Sequence, residues 1–133
     1  MALFLLGDGN CGKSTVMHCV ERMLPEGSVG TISGKTETTF AFQSLFNKRC
    51  ILVYDLSRDF HKYIDQQQYQ SIISGEHVSV ARKNKDPVSL HWKTPLMMSG
   101  NYLLQYTDES GSISRRVFAA EFRNHIVEYI NQR

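Results

Sequence analysis

One loop near the start of the chain decides most of what it can fold into. Gly7-Asp8-Gly9-Asn10-Cys11-Gly12-Lys13-Ser14 meets the pattern G-x-x-x-x-G-K-[ST] at every fixed position, and Thr15 adds a second hydroxyl. Such a loop works only between a buried strand and a helix. Its glycines let the backbone curl until successive N–H groups converge on phosphate oxygens, and the helix that follows adds its positive end. Lys13 then reaches the outer phosphates of a triphosphate and Ser14 supplies a hydroxyl to Mg²⁺. The flanks agree. Ala2–Leu6 is wholly apolar, as a strand covered on both faces must be, and Lys13–Leu24 reads as a helix closed by Pro25.

The rest of the chain keeps an α/β rhythm. Glu26–Thr38, rich in Gly, Ser and Thr, reads as loop with at most a short strand, and Thr39–Phe46 as a short helix carrying core phenylalanines Phe40, Phe42 and Phe46. Arg49–Asp55 is a second buried strand ending on a carboxylate. Asp65–Ser74 is helical and stops at Gly75. His77–Trp92 has two strand-like arms around a polar, basic tip, the pattern of a hairpin. Thr94–Asn101 and Arg115–Phe122 are further strands, and Asn124–Arg133 a terminal helix. Strands alternating with helices predict an α/β fold: a mostly parallel sheet with helices on both faces, here carrying an inserted basic hairpin. The 133 residues read as a single P-loop domain, the core of a longer protein.

Composition narrows the partners. A net charge of +2 means that any nucleic-acid surface is local rather than a global basic field. Cys11, Cys19 and Cys50 form no CxxC pair, so a reducing interior is expected. No run approaches the roughly 18 apolar residues of a membrane span, and the opening MALFLLG lacks the basic segment of a secretion signal. His18, His61, His77, His91 and His125 show no metal spacing, although His77 and His91 can face each other across the hairpin.

Binding a triphosphate does not by itself specify hydrolysis, which needs a carboxylate beside Mg²⁺. Asp55 closes the apolar strand CILVYD, the expected place for one. Asp59 and Glu76 are the candidates for polarising the attacking water. A GTPase would need N-K-x-D, but in Lys83–Pro87 (KNKDP) the acid falls one residue early, and no glycine follows Asp55 at the switch spacing. A small-molecule kinase would use the same loop, with Arg115 and Arg116 as lid arginines clamping a phosphate.

The ordered segments GDGNCGKST, KRCILVYDL, QQQYQSIISGEHVSVARKNKD, WKTPLMMSGNYL and DESGSISRRVFAAEF run from about Leu3 to Phe122. Together they resemble the superfamily-3 helicases of viruses and mobile elements, especially the ATPase domain of poxvirus-type and giant-virus primase-helicases. The resemblance implies an AAA+-like ATPase that works as a ring, usually a hexamer, inside a host cell. It implies that Gly7 to Thr15 bind ATP, that Lys13 and Ser14 hold ATP and Mg²⁺, and that Asp55 completes the Mg²⁺ site. Asn101 matches the polar sensor of the γ-phosphate, and Arg115 or Arg116 the arginine finger that reaches a neighbour's ATP. Gly75-Glu76 and the hairpin match the segment that grips single-stranded DNA, with Lys83 and Lys85 contacting phosphates. Cys11 stands where the family often has Asn, and Asp55 is a lone acid where it often has two. A degenerate, non-hydrolysing nucleotide- or DNA-binding module is therefore a second reading beside the kinase. Trp92, Tyr102 and Tyr106 can stack bases, but core packing is the expected role of large aromatics.

Overall fold

Short runs that are apolar at every position can be satisfied only by a sheet covered on both sides. In the computed structural model, which describes residues 1–32, 43–82 and 84–126, those runs form such a sheet. It contains β1 (Ala2–Leu6), β2 (Val29–Thr31), β3 (Cys50–Val53), β6 (Leu96–Gly100) and β7 (Val117–Glu121), all paired in parallel in the order β2-β3-β6-β1-β7. The hairpin strands β4 (His77–Arg82) and β5 (Lys85–His91) form a separate antiparallel pair. Three helices lie wholly within the described residues: α1 (Lys13–Met23), α2 (Phe60–Tyr63) and α3 (Gln66–Ser74).

Period-two alternation sorts the side chains onto the two faces. On one face Leu5, Leu52 and Met97 pack with Met17 of α1. On the other, Phe4, Ile51, Val53, Leu96 and Met98 meet Phe60 of α2, Tyr69, Ile72 and Ile73 of α3, and Val78 and Val80 of the hairpin. Helices on both faces and an inserted hairpin are the predicted architecture.

Local chemistry sets the boundaries. The Asp65 carboxylate accepts from the Gln68 N–H at 2.8 Å and caps α3, and Gly75 ends it in the left-handed conformation, φ 73°. Trp92 is 1% exposed and its indole N–H donates to the Thr94 carbonyl at 2.9 Å, anchoring the base of the hairpin. His77 and His91 are register partners, with stacked rings 5.3 Å apart, as the hairpin pattern anticipated.

β1 spans Ala2–Leu6 as predicted, while β3, β6 and β7 are one or two residues shorter at each end than expected. The four-residue α2 was not anticipated, and β2 is the short strand allowed for between Glu26 and Thr38. Within Thr39–Phe46, residues 43–45 are helical; Phe40 and Phe42 lie outside the described residues, as does most of the predicted terminal helix Asn124–Arg133. Among the described residues no helix is long and apolar enough to cross a membrane.

Candidate functional site

Parallel strands place all their C-terminal ends along one edge, and loops leaving that edge form the natural crevice for a ligand. Three candidate segments leave it from adjacent strands. Gly7 follows β1, Asp55 lies two residues beyond β3, and Asn101 directly follows β6, which sits between the other two. Backbone bonds fix their relative heights: Gly7 N–H donates to the Gly100 carbonyl at 3.2 Å, and Leu56 N–H to the Ser99 carbonyl at 2.8 Å. Asp55 and Asn101 are both solvent-exposed. The expected sensor thus stands between the phosphate loop and the expected magnesium acid, on one edge of the sheet.

The Gly7–Gly12 loop joins the end of β1 to the start of α1. Gly12, with φ 90°, is the residue before α1, and no side chain caps that helix. Nor does its first turn contain an acid, so the positive helix end and its N–H groups face outward uncompensated. Gly7 permits close passage of the returning chain, because a Cβ there would stand 2.5 Å from the Phe122 carbonyl oxygen. Lys13 is 7% exposed, and a buried ammonium must be hydrogen-bonded. It donates to the Gly7 carbonyl at 2.6 Å and to the Asp8 carbonyl, which holds the charge over the loop mouth. Asp8, Gly9, Asn10, Ser14 and Thr15 are exposed.

A magnesium nucleotide suits these donors. Ser14 and Asp55 offer exposed hard oxygens of the kind Mg²⁺ prefers. The one soft atom in the loop, Cys11 Sγ, is buried and donates to the Gly9 carbonyl at 3.6 Å. Cys11, Cys19 and Cys50 are free thiols.

Arg115 and Arg116 lie elsewhere. They immediately precede β7, whose Val117 is in register with Ala2, so they occupy the N-terminal edge of the sheet. Five strand residues at about 3.3 Å each put that edge about 16 Å from the phosphate loop. A cis lid, as the kinase reading required, is therefore not built from this pair. Arg115 Nε donates to the Gly111 carbonyl at 3.0 Å and an Arg116 guanidinium N–H to Ser112 at 2.6 Å. The turn presenting them is organised by Asp108, whose carboxylate accepts from Ile113 N–H at 3.0 Å and Ser114 N–H at 2.8 Å. These two bonds, Ile113 first, hold the Asp108 carboxyl below its ordinary value of 3.8.

A depressed carboxyl pKa contributes stability that is complete above the unfolded value and lost as pH falls through the folded one. Asp108→Asn is therefore expected to lower the melting temperature by a few degrees at pH 7, with the two proteins converging as pH drops below 3.8. Paired thermal melts from pH 7 to pH 3 check this. Curves that stay parallel down to acid pH would remove Asp108 from that role.

The remaining candidates divide by edge. Glu76 begins the hairpin, and its carbonyl accepts from Trp92 N–H at 2.9 Å. The preceding helix ends beside the first residue of the chain, where the Met1 amine donates to the Ile73 carbonyl. Glu76 is thus at the N-terminal edge, a sheet's length from the phosphate loop, and cannot polarise a water there within its own chain. Asp59 is on the correct side, following β3, but pairs with Lys62 at 3.1 Å. Lys85 is exposed near the hairpin tip beside Asn84, which takes φ 58°; Lys83 lies outside the described residues.

Trp92 is core, as expected, and half-buried Tyr106 stacks on Tyr69 at 5.0 Å while donating its hydroxyl to the Ile64 carbonyl at 2.6 Å. Tyr102 alone of the three is exposed, with the Arg58 guanidinium 3.9 Å over its ring. Sequence reasoning missed Arg58 and also Tyr54, which hydrogen-bonds to α1. The only signal for Tyr54 was a hydroxyl closing an otherwise apolar strand.

A family model described as a family of unknown function, DUF5906, matches residues 5–116. A search of curated proteins found no match. Among solved structures, the A form apo structure of the NrS-1 C terminal region superposes with a TM-score of 0.69 at 19% identity, over 96% of this chain and 30% of that one. A further apo structure of the NrS-1 C terminal region (305-718) gives 0.64 at 18% identity, with 96% and 30% covered. JCV Helicase, bound to a thiazolopyridine-phenoxyphenyl acetamide, gives 0.62 at 11% identity, over 92% of this chain and 35% of that one. The chain spans about a third of the length of these proteins, and at such identities the likeness is one of fold.

Proposed function

The chain belongs to the DUF5906 family, and we propose that it is the ATPase core of a superfamily-3-type DNA helicase, hydrolysing ATP between the subunits of a hexameric ring. The observation that carries this reading is the division of labour between the two sheet edges. The Gly7–Thr15 loop, Asp55 and Asn101 share one edge and Arg115–Arg116 occupy the other. A nucleotide held at the first edge can meet those arginines only if they come from another copy.

In this reading the Lys13 ammonium leaves the Gly7 and Asp8 carbonyls to neutralise β- and γ-phosphate oxygens. Ser14 and Asp55 hold Mg²⁺, which when bound draws charge off those phosphates. The Asn101 amide hydrogen-bonds the γ-phosphate or the attacking water. Arg115 or Arg116 of the adjacent copy stabilises the charge that builds on the transferred phosphoryl group. Lys85, with Lys83, contacts single-stranded DNA phosphates, and hydrolysis shifts the hairpin along the strand. The JCV Helicase fold and the free thiols, suited to the reducing interior of a host cell, support a virus-type intracellular motor.

The test is phosphate release from ATP with and without single-stranded DNA. The motor reading expects release that DNA stimulates. Lys85→Ala should weaken DNA binding severalfold irrespective of sequence and reduce the salt slope of log K by about 1, with ATP binding intact. Tight ATP binding without release under either condition would make the chain the degenerate nucleotide-binding module instead.

A further inference from the structure

We infer that Tyr54 is a positioning residue: its hydroxyl straps the acid-bearing end of β3 to α1, the helix that opens on Lys13 and Ser14, and so sets Asp55 against the metal–phosphate end of the site. This rests on the ATPase reading above and specifies how its exposed acid is held.

Tyr54 follows Val53, the last residue of β3, and directly precedes Asp55. Strand alternation puts it on the same face as Leu52, and it packs against the cluster of Leu5, Met17, Leu52 and Met97 beneath α1. Its hydroxyl donates to Glu21 Oε2 at 2.6 Å and lies 3.2 Å from His18 Nδ1. The His18 ring sits 4.8 Å from the tyrosine ring, and its Nδ1 is 3.6 Å from the same Glu21 oxygen. His18 and Glu21 are three residues apart on α1, so they share one side of the helix and grip the hydroxyl together.

The other side of Asp55 is fixed as well, because the Leu56 N–H donates to the Ser99 carbonyl at 2.8 Å. An exposed carboxylate is thus bracketed by two anchors, one to the helix of the phosphate loop and one to the strand of the sensor. A surface aspartate with no task needs neither. A short hydrogen bond to a charged carboxylate is of the stronger, charge-assisted kind, which gives the strap enough grip to define a position.

Tyr54→Phe keeps the ring and removes only the hydroxyl. The readout is binding of a fluorescent ATP analogue, in excess EDTA and across a Mg²⁺ titration, together with a thermal melt. Binding in EDTA is expected to stay within about twofold, while the Mg²⁺ concentration giving half of the metal-dependent gain rises severalfold, up to about tenfold, the low end of the scale for loosening the support of a metal ligand. Glu21→Ala, on a half-exposed helix face, removes the acceptor and should give the same shift without touching the buried packing, and the double variant should add nothing further. An unchanged Mg²⁺ midpoint, or an equal loss with and without Mg²⁺, would reduce Tyr54 to packing and overturn the strap while leaving the ATPase reading standing. Failure of the unaltered chain to bind the analogue, or binding indifferent to Lys13→Ala, would overturn both.

Discussion

On the proposed ATPase reading, Lys13→Ala is expected to give a folded chain whose ATP turnover falls at least about a hundredfold, the scale seen when one charge-stabilising donor is removed from a reacting centre. The structural cost is small by comparison. Lys13 is buried, but its ammonium serves only the carbonyls of Gly7 and Asp8, and Asp8 is exposed, so water can replace the lost donor. A net hydrogen bond is worth about 1 kcal/mol, and for a domain of this size each kcal/mol lowers the melting temperature by roughly 3–4 °C. Circular dichroism melts and phosphate release, measured on the same preparation, separate the two effects. A variant that keeps half its turnover would mean that the phosphates sit elsewhere.

The second large effect belongs to the arginines. Arg115→Ala and Arg116→Ala are each expected to leave ATP affinity unchanged, and the one that removes the finger lowers turnover about 10³-fold or more. The decisive measurement mixes that variant with Lys13→Ala. Each is inactive alone, yet a mixture brings an intact Gly7–Thr15 loop from one copy against an intact arginine from another, and activity returns. Absence of rescue, in mixtures shown to co-assemble, would mean that the pair does not act across an interface. Its cis geometry is already excluded by its position at the far end of β7 from the loop.

How much of this was legible in the chain depends on the range of the cause. β1, the phosphate loop and α1 follow from contiguous residues, because the motif dictates backbone, helix start and flanking burial together. β3 declares itself by being apolar at every position and β6 by its apolar Leu96–Met98, and the hairpin by its alternation and Asp65-to-Gly75 helix boundaries before it. The four-residue α2 is too short for periodicity to register, and β2 exists because Val29–Thr31 pair with β3 rather than through any propensity of its own.

The site divides in the same way. Lys13, Ser14, Asp55 and Asn101 announce themselves by standing at the ends of recognisable elements. That Glu76 and Arg115–Arg116 lie on the wrong edge for cis chemistry depends on the sheet order. Tyr54 meets Glu21 across 33 positions of sequence, and nothing local to either residue signals the encounter. Asp108 acts on N–H groups five and six residues downstream, a fold-back that its position in a polar turn does not reveal.

The separation of the loop edge from the arginine edge has a consequence for how output scales with protein concentration. Where the surface that lends the arginines and the surface that receives them are different patches, the contact is heterologous and repeats head to tail from copy to copy. An open row of copies always ends with one recipient unserved, and its fraction of working sites climbs with every copy added. Closing the row removes that last defect in a single step. If the arginines act across such a contact as proposed, specific activity should rise steeply with protein concentration and then level off, tracing the closure of the row rather than the filling of individual sites.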